Sequence, residues 1–231
     1  MKDNMKNIKK ALISMIAIIG LTSSAFAFEG FSVGTTYSSI DFSTTGTEVT
    51  KPTSAASGTT SIISDPISKS GSDDIGSIFA EYTFSQGSTI GVDYISGTAE
   101  IGSASRTSGT PSGTVTASAE ISDPLTLYVE PTIMFNDKFG VYVKGGITEL
   151  SVTPKETDTA NVTTSTYTAK DLYGMMTGFG AKYYMGNFFV KAEYTETDFA
   201  NYSHVSTTGE GNTISADIDT EETRFALGYN F

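Results

Sequence analysis

The 231-residue sequence has no cysteine, no tryptophan and one histidine, His204. Without thiols there is no disulfide framework, no thiolate metal site and no thiol nucleophile. One histidine excludes a multi-histidine metal centre within a single chain. Basic residues are scarce: 14 Lys and Arg stand against 26 Asp and Glu, a net charge of −12. That balance excludes nucleic acid as a partner, because phosphate binding needs basic patches. Apolar residues make up 38%. This is thin material for a large packed core, but enough where only every second strand residue must be apolar. Long apolar runs are missing too. The longest, Ala11–Leu21, falls short of the ~20 residues a bilayer-spanning helix needs.

What is present begins with an export signal over residues 1–27. Lys2, Lys6, Lys9 and Lys10 precede the short apolar run, and Ala25-Phe26-Ala27 is a small-x-small cleavage site. Removing the segment takes away four lysines and Asp3, which leaves −15 on residues 28–231. A chain exported without a spanning helix is expected to be either soluble outside the cytoplasm or a membrane barrel.

The last stretch decides between these. Phe225, Leu227, Tyr229 and Phe231 alternate with Arg224, Ala226, Gly228 and Asn230, a period of two that gives a strand one apolar and one small or polar face. The same alternation predicts eight strands from Phe28 onward. They begin at about Glu29–Phe42, Ile75–Phe84, Thr89–Glu100 and Leu125–Phe135. The next two lie at about Phe139–Val152 and Asp171–Met185. A seventh starts at Phe188, and Thr213–Phe231 is the eighth. Pro131 lies within the fourth and gives no ladder hydrogen bond, so a bulge or kink is expected there. The connections alternate in length. Three short turns (Ser85–Ser88, Asn136–Lys138, Gly186–Asn187) separate four long Ser/Thr/Gly-rich segments (Ser43–Asp74, Gly102–Gly113, Pro154–Lys170, Ala200–Asn212).

The alternating aromatic end at Phe225, Leu227, Tyr229 and Phe231 resembles the C-terminal assembly signal of bacterial outer-membrane proteins. With the short and long connections, residues 28–231 resemble the small eight-stranded outer-membrane barrels of the OmpA/OmpX type. The resemblance implies an all-β, eight-stranded antiparallel up-and-down transmembrane barrel, monomeric, in the bacterial outer membrane, with N and C termini periplasmic. Implied partners are outer-membrane lipid and lipopolysaccharide, and the barrel assembly machinery through the C-terminal strand. Tyr37, Tyr82, Phe84, Tyr94, Phe135, Phe139, Tyr183, Phe188, Tyr229 and Phe231 read as an interfacial girdle.

By parity, eight charges face inward near the short-turn rim: Glu81, Asp93, Glu130 and Glu193 against Lys144, Lys182, Lys191 and Arg224. Registers taken from the turns put Glu130 opposite Lys144, Lys182 opposite Lys191, and Glu81 opposite Asp93. The last two repel. Glu81 and Asp93 are therefore expected to reach across the bore to Lys182 and Lys191, with Arg224 and Glu193 alongside. An eight-stranded bore is just wide enough to be filled by side chains. The network reads as a structural plug, with a gated, narrow porin-like channel as the alternative. A third reading is enzymatic. Some small barrels resembling lipid A deacylases carry a His-x-Ser pair, and this chain has His204-Val205-Ser206, with Glu210, Asp217 and Asp219 as acids. A triad is recognised by geometry rather than spacing, so no catalytic residue is assigned. No cofactor and no metal is expected, since no segment has the spacing of a calcium loop. The long loops read as a variable surface.

Overall fold

The computed structural model describes residues 29–50, 62–63, 67–108, 113–159, 163–166, 169–205 and 213–231. The export signal lies outside them. The described residues form eight antiparallel strands and no helix. They are β1 (Gly30–Thr50), β2 (Ile67–Thr83), β3 (Thr89–Ile95 and Thr98–Ser108), β4 (Gly113–Glu130 and Thr132–Met134), β5 (Phe139–Asp158), β6 (Lys170–Met185), β7 (Phe188–Val205) and β8 (Thr213–Asn230). Two short segments, Ile62–Ile63 and Thr163–Thr166, add to β1 and β5. Each strand pairs with the next, and β1 pairs with β8 from Ser32↔Asn230 to Val49↔Thr213. The sheet therefore closes on itself, and closure leaves no first or last edge.

Short turns set the registers at one rim. Asn136 Oδ1 accepts the backbone N–H groups of Lys138 at 2.8 Å and Phe139 at 2.9 Å, an Asx-type turn. Gly186 sits at φ 66° between Met185 and Phe188, which pair. Phe231 N–H donates to Phe31 O at 2.9 Å, so both ends of the described barrel lie at this rim.

Four findings change the expected pattern. First, the strands run well past their expected ends. β1 and β2 stay paired out to Gly46↔Ile67, and β3 and β4 out to Ser108↔Gly113. Parts of all four expected long loops are strand. Ser, Thr and Gly weaken the apolar signal there because the outer face meets water. Second, Pro131 breaks the ladder but not the register. Val129↔Gly145 and Thr132↔Tyr142 belong to one alignment, and Pro131 O still accepts from Val143 N–H at 3.2 Å. The bulge lies instead at Asp123-Pro124, between Ser122↔Ser151 and Leu125↔Glu149, with Asp123 at φ 51°. Third, a second bulge follows Phe199 in β7. It reverses the parity, so Phe199 and Tyr202 both face inward, buried. Fourth, β3 is interrupted at Ser96-Gly97. The β2–β3 ladder runs only from Ser77↔Ile95 to Thr83↔Thr89. Beyond that point β2 keeps to β1 and β3 keeps to β4, so the wall is split.

The two halves of the tube have opposite polarity. Toward the short-turn rim the outer face is apolar: Ile78, Ile133, Phe135, Val143, Met175, Phe179, Phe225, Leu227 and Phe231 are exposed. An apolar belt of this extent has no place in water. The belt includes two aromatic rows. Phe31, Phe231, Tyr229 and Phe188 form a chain of ring contacts at 5.1–6.1 Å near the rim. At the belt's other edge stand Tyr94 and Tyr194, whose hydroxyls reach Asp123 at 2.9 Å and Glu221 at 3.0 Å. Beyond this edge the outer face turns acidic, with Asp41, Asp74, Glu196, Asp198 and Asp219 exposed. The interior there is apolar, built from Ile40, Phe42, Ile121, Leu150, Val152, Leu172, Phe199, Tyr202 and Ile218.

Candidate functional site

Inside the belt the bore is filled by ions and rings. All eight charged residues expected inside are buried. Glu130 (β4), wholly buried, is their centre. Lys191 Nζ (β7) lies 2.9 Å from its Oε2, Lys144 Nζ (β5) 3.4 Å from its Oε1 and Lys182 Nζ (β6) 3.8 Å from its Oε2. Lys191 also reaches Glu81 Oε2 at 2.6 Å. Lys144 holds Glu193 at 2.9 Å. Arg224 donates to Asp93 at 2.6 Å and stands 3.5 Å from Glu193. Charges buried this deeply are tolerated only when paired and hydrogen-bonded.

Glu130 does face Lys144, and Lys182 does lie opposite Lys191. Two parts of the expected wiring differ. Glu81 pairs across the ladder with Gly91, and Asp93 with Phe79. The hairpin closes with Phe84 N–H donating to Ser88 O, two residues tighter than a Phe84–Ile90 pairing, so the expected Glu81–Asp93 repulsion does not arise. Across the bore Glu81 meets Lys191, but Asp93 meets Arg224 rather than a lysine. Lys182 turns to Gly87 O at 2.8 Å and Thr89 Oγ1 at 3.0 Å. The Lys182–Lys191 pair is relieved by Glu130, which both approach.

Several partners carry no charge and left little trace in the sequence. Tyr128 OH donates to Glu81 at 2.7 Å and Tyr142 OH to Glu193 at 2.6 Å. Lys144 Nζ lies 4.0 Å from the centre of the Tyr128 ring, a cation–π contact. Ser77 Oγ donates to Asp93 at 3.0 Å and also contacts Thr36 Oγ1. The rings lie flat over strands that have no side chain to obstruct them. A Cβ on Gly91 would stand 2.5 Å from Tyr128, and one on Gly228 would enter the ring of Phe189. One charged member was missed. Glu222 lies two residues from Arg224 on the same inward parity, and its Oε2 is 3.5 Å from Arg224 Nη1. Parity counted one step further along β8 identifies it. With the partly buried Glu222 the inward set is five carboxylates against four cations.

Phe225, Leu227, Tyr229 and Phe231 stand exposed on the outer face of β8. The His-x-Ser pair lies beyond the β7 bulge. His204 pairs through its backbone with Ile214, while Ser206 and Glu210 lie outside the described residues. Asp217 and Asp219 point outward on β8, and Asp217 accepts from Asn201 Nδ2 at 2.8 Å. The parity that put His204 on the outer face does not survive the bulge. Among the described residues no group of His, Asp or Glu is arranged as a metal site.

The family model for the outer membrane protein beta-barrel domain matches residues 12–231. No curated protein matches the sequence. Among solved structures, Neisserial surface protein A is similar at 13% identity, covering 85% of this chain and 97% of that one, with a TM-score of 0.41. Ail, the attachment invasion locus protein of Yersinia pestis, is similar at 10% identity, covering 83% and 98%, with a TM-score of 0.32. The outer membrane protease OmpT from Escherichia coli is similar at 9%, covering 90% and 99%, with a TM-score of 0.44. A closed eight-stranded barrel with an apolar belt and a match over nearly its whole length make this chain a member of the outer membrane protein β-barrel family.

Proposed function

We propose that this barrel is a closed, non-conducting and non-enzymatic component of the bacterial outer membrane, with a structural or surface-interaction role. The observation that carries the reading is Glu130, wholly buried and approached by lysines from three other strands at 2.9, 3.4 and 3.8 Å. A carboxylate so held ties β4, β5, β6 and β7 together across the bore and leaves water no continuous path. Termini and short turns face the periplasm, and the long hairpins face outward, as the alternating connection lengths of such barrels imply. The belt meets lipid and, in the outer leaflet, lipopolysaccharide. The exposed aromatic face of β8 engages the assembly machinery.

The test is conductance. The purified barrel in planar bilayers is expected to give no steady single-level current. Replacing Glu130 and Glu193 by Ala, which leaves Lys144 without either carboxylate and Lys191 with Glu81 alone, is expected to introduce noisy openings. Large steady conductance in the unaltered protein overturns the plug and favours the narrow channel.

A further inference from the structure

Directly above the ion network lies a cavity of about 260 Å³. Its walls are Ile40, Phe42, Ile121, Leu150, Met176 and Phe199. Its floor is a set of threonines, Thr126, Thr148, Thr197 and Thr220, with Glu222 and Arg224. Its lining reaches the split in the wall, with Asp73–Gly76 on one lip and Ile95–Ala99 on the other. No ladder joins β2 to β3 beyond Ser77↔Ile95. The split opens level with the upper edge of the apolar belt, since Gly76 pairs with Tyr37.

Three features define what fits. The walls are apolar, so the body of the occupant is apolar. The floor carries an unbalanced charge: Glu81, Asp93, Glu130, Glu193 and Glu222 face Lys144, Lys182, Lys191 and Arg224, one carboxylate in excess. The excess is felt at Glu222. Its Oε2 is buried, accepts no hydrogen bond and lies 3.5 Å from Arg224 Nη1. Arg224 donates through Nη2 to Asp93 at 2.6 Å, and its Nε, 3.5 Å from Glu193, makes no hydrogen bond. Finally, Asp73 and Asp74 stand exposed on the lip. An entering anion meets these carboxylates first and Glu222 last. A pure hydrocarbon leaves the Glu222 oxygen unsatisfied, which is costly for a buried polar atom.

We propose that this cavity is a binding site for a small cationic amphiphile, an organic amine with a short apolar body. It enters through the β2–β3 split and places its ammonium on Glu222. The volume lies just under the ~300–1,000 Å³ usual for small-molecule sites, so a two-chain lipid does not fit. The inference goes beyond the plug and uses it only as a floor: an amine is held rather than passed.

Met176 on β6 lines the cavity, whereas Met175 points outward and Met134 packs near the short-turn rim. Methyl-labelled methionine NMR of the folded barrel therefore reports occupancy. Hexylammonium is expected to shift the Met176 methyl signal saturably and to leave Met134 unmoved. Hexanoate is expected to leave Met176 unmoved. Glu222→Gln removes the excess charge and keeps the shape. It is expected to weaken hexylammonium about tenfold or more, the size of one charge-assisted hydrogen bond, without changing the response to hexanol. Ile121→Trp fills the cavity and is expected to abolish the shift. Equal response to hexanoate, or unaltered hexylammonium affinity in Glu222→Gln, overturns the proposal. The comparison of the three probes on the unaltered protein needs no variant to fold. Conductance separates this outcome from failure of the plug, because Met176 still reports binding in a leaking barrel.

Discussion

Removing the carboxylate of Glu130 leaves Lys182 without its carboxylate, and leaves Lys144 and Lys191 with one each, Glu193 and Glu81. Loss of one member of a buried ionic cluster costs ~3–5 kcal/mol, because a charge is left buried without its counter-ion. Glu130→Ala is expected to lower the urea midpoint of the vesicle-embedded barrel accordingly. Tyr142→Phe deletes one hydrogen bond to Glu193 and is expected to cost only ~1 kcal/mol. The acidic outer face behaves differently. Asp219 stands directly opposite Asp198 on the water-facing extension, beyond the apolar belt. Partial burial, then the Asp198 and Asp217 carboxylates, raise its pKa above the ordinary aspartate value. A raised folded-state pKa means stability that is present below the unfolded pKa and lost as pH rises through the folded one. Asp219→Asn is therefore expected to be more stable than the parent at neutral pH by ~0.2–1 kcal/mol. The gap is expected to close as pH falls through the aspartate range, as thermal melts from pH 7 to 3 would show.

At the scale of elements, the bulge in β4 carries its own signature. Asp123 holds φ 51° while accepting from Tyr94 OH at 2.9 Å. A β-branched residue is strained there by ~1–2 kcal/mol and also loses the bond. Asp123→Val is thus expected to destabilise the barrel more than Tyr94→Phe, with Asp123→Asn near neutral, all read from urea midpoints. The bulges also explain what was legible in the sequence and what was not. Below Asp123 the alternation is unbroken, so Leu125 to Phe135, the inward lysines and Glu130 could be placed on their faces by counting. Above it, and past Phe199 in β7, one extra residue reverses the count. Parity alone then misplaces Tyr202, which is buried. The strand extensions were hidden for a different reason. Their outer face is Ser, Thr, Asp and Gly, and their inner face supplies the apolar residues, so the pattern inverts just where a loop was expected to begin. Register was readable where the turn was fixed by Asn136 or Gly186. It failed where Ser85–Ser88 admitted two closures. No sequence rule couples Tyr128 or Tyr142 to a carboxylate on another strand. That coupling exists only once the sheet has closed.

The whole molecule is one tube with two solvents. Its lower half is oily outside and ionic within, and its upper half is acidic outside and oily within, like a water-soluble barrel set on a membrane one. Both halves share the same strands, so each strand changes its inside and outside code at the row of Tyr37, Tyr94 and Tyr194. This is why composition alone reads as neither a soluble core nor a membrane span.

The carboxylates just past those tyrosines fix how deep the protein floats. On β8 the oily outer positions run only from Phe225 to Phe231 before Thr223 and Glu221. With strand rise and tilt allowed for, that is a hydrophobic height of roughly 15 Å on this strand, less than the ~25 Å band usual for such barrels. Sinking further drags Asp41, Glu196 and Glu221 into hydrocarbon, and rising lifts the Phe188 and Phe231 rings out of it. The barrel is thereby matched to a thin bilayer, or thins the one around it. Its folding yield is expected to be highest in vesicles of short-chain lipid and to fall steadily as the acyl chains lengthen.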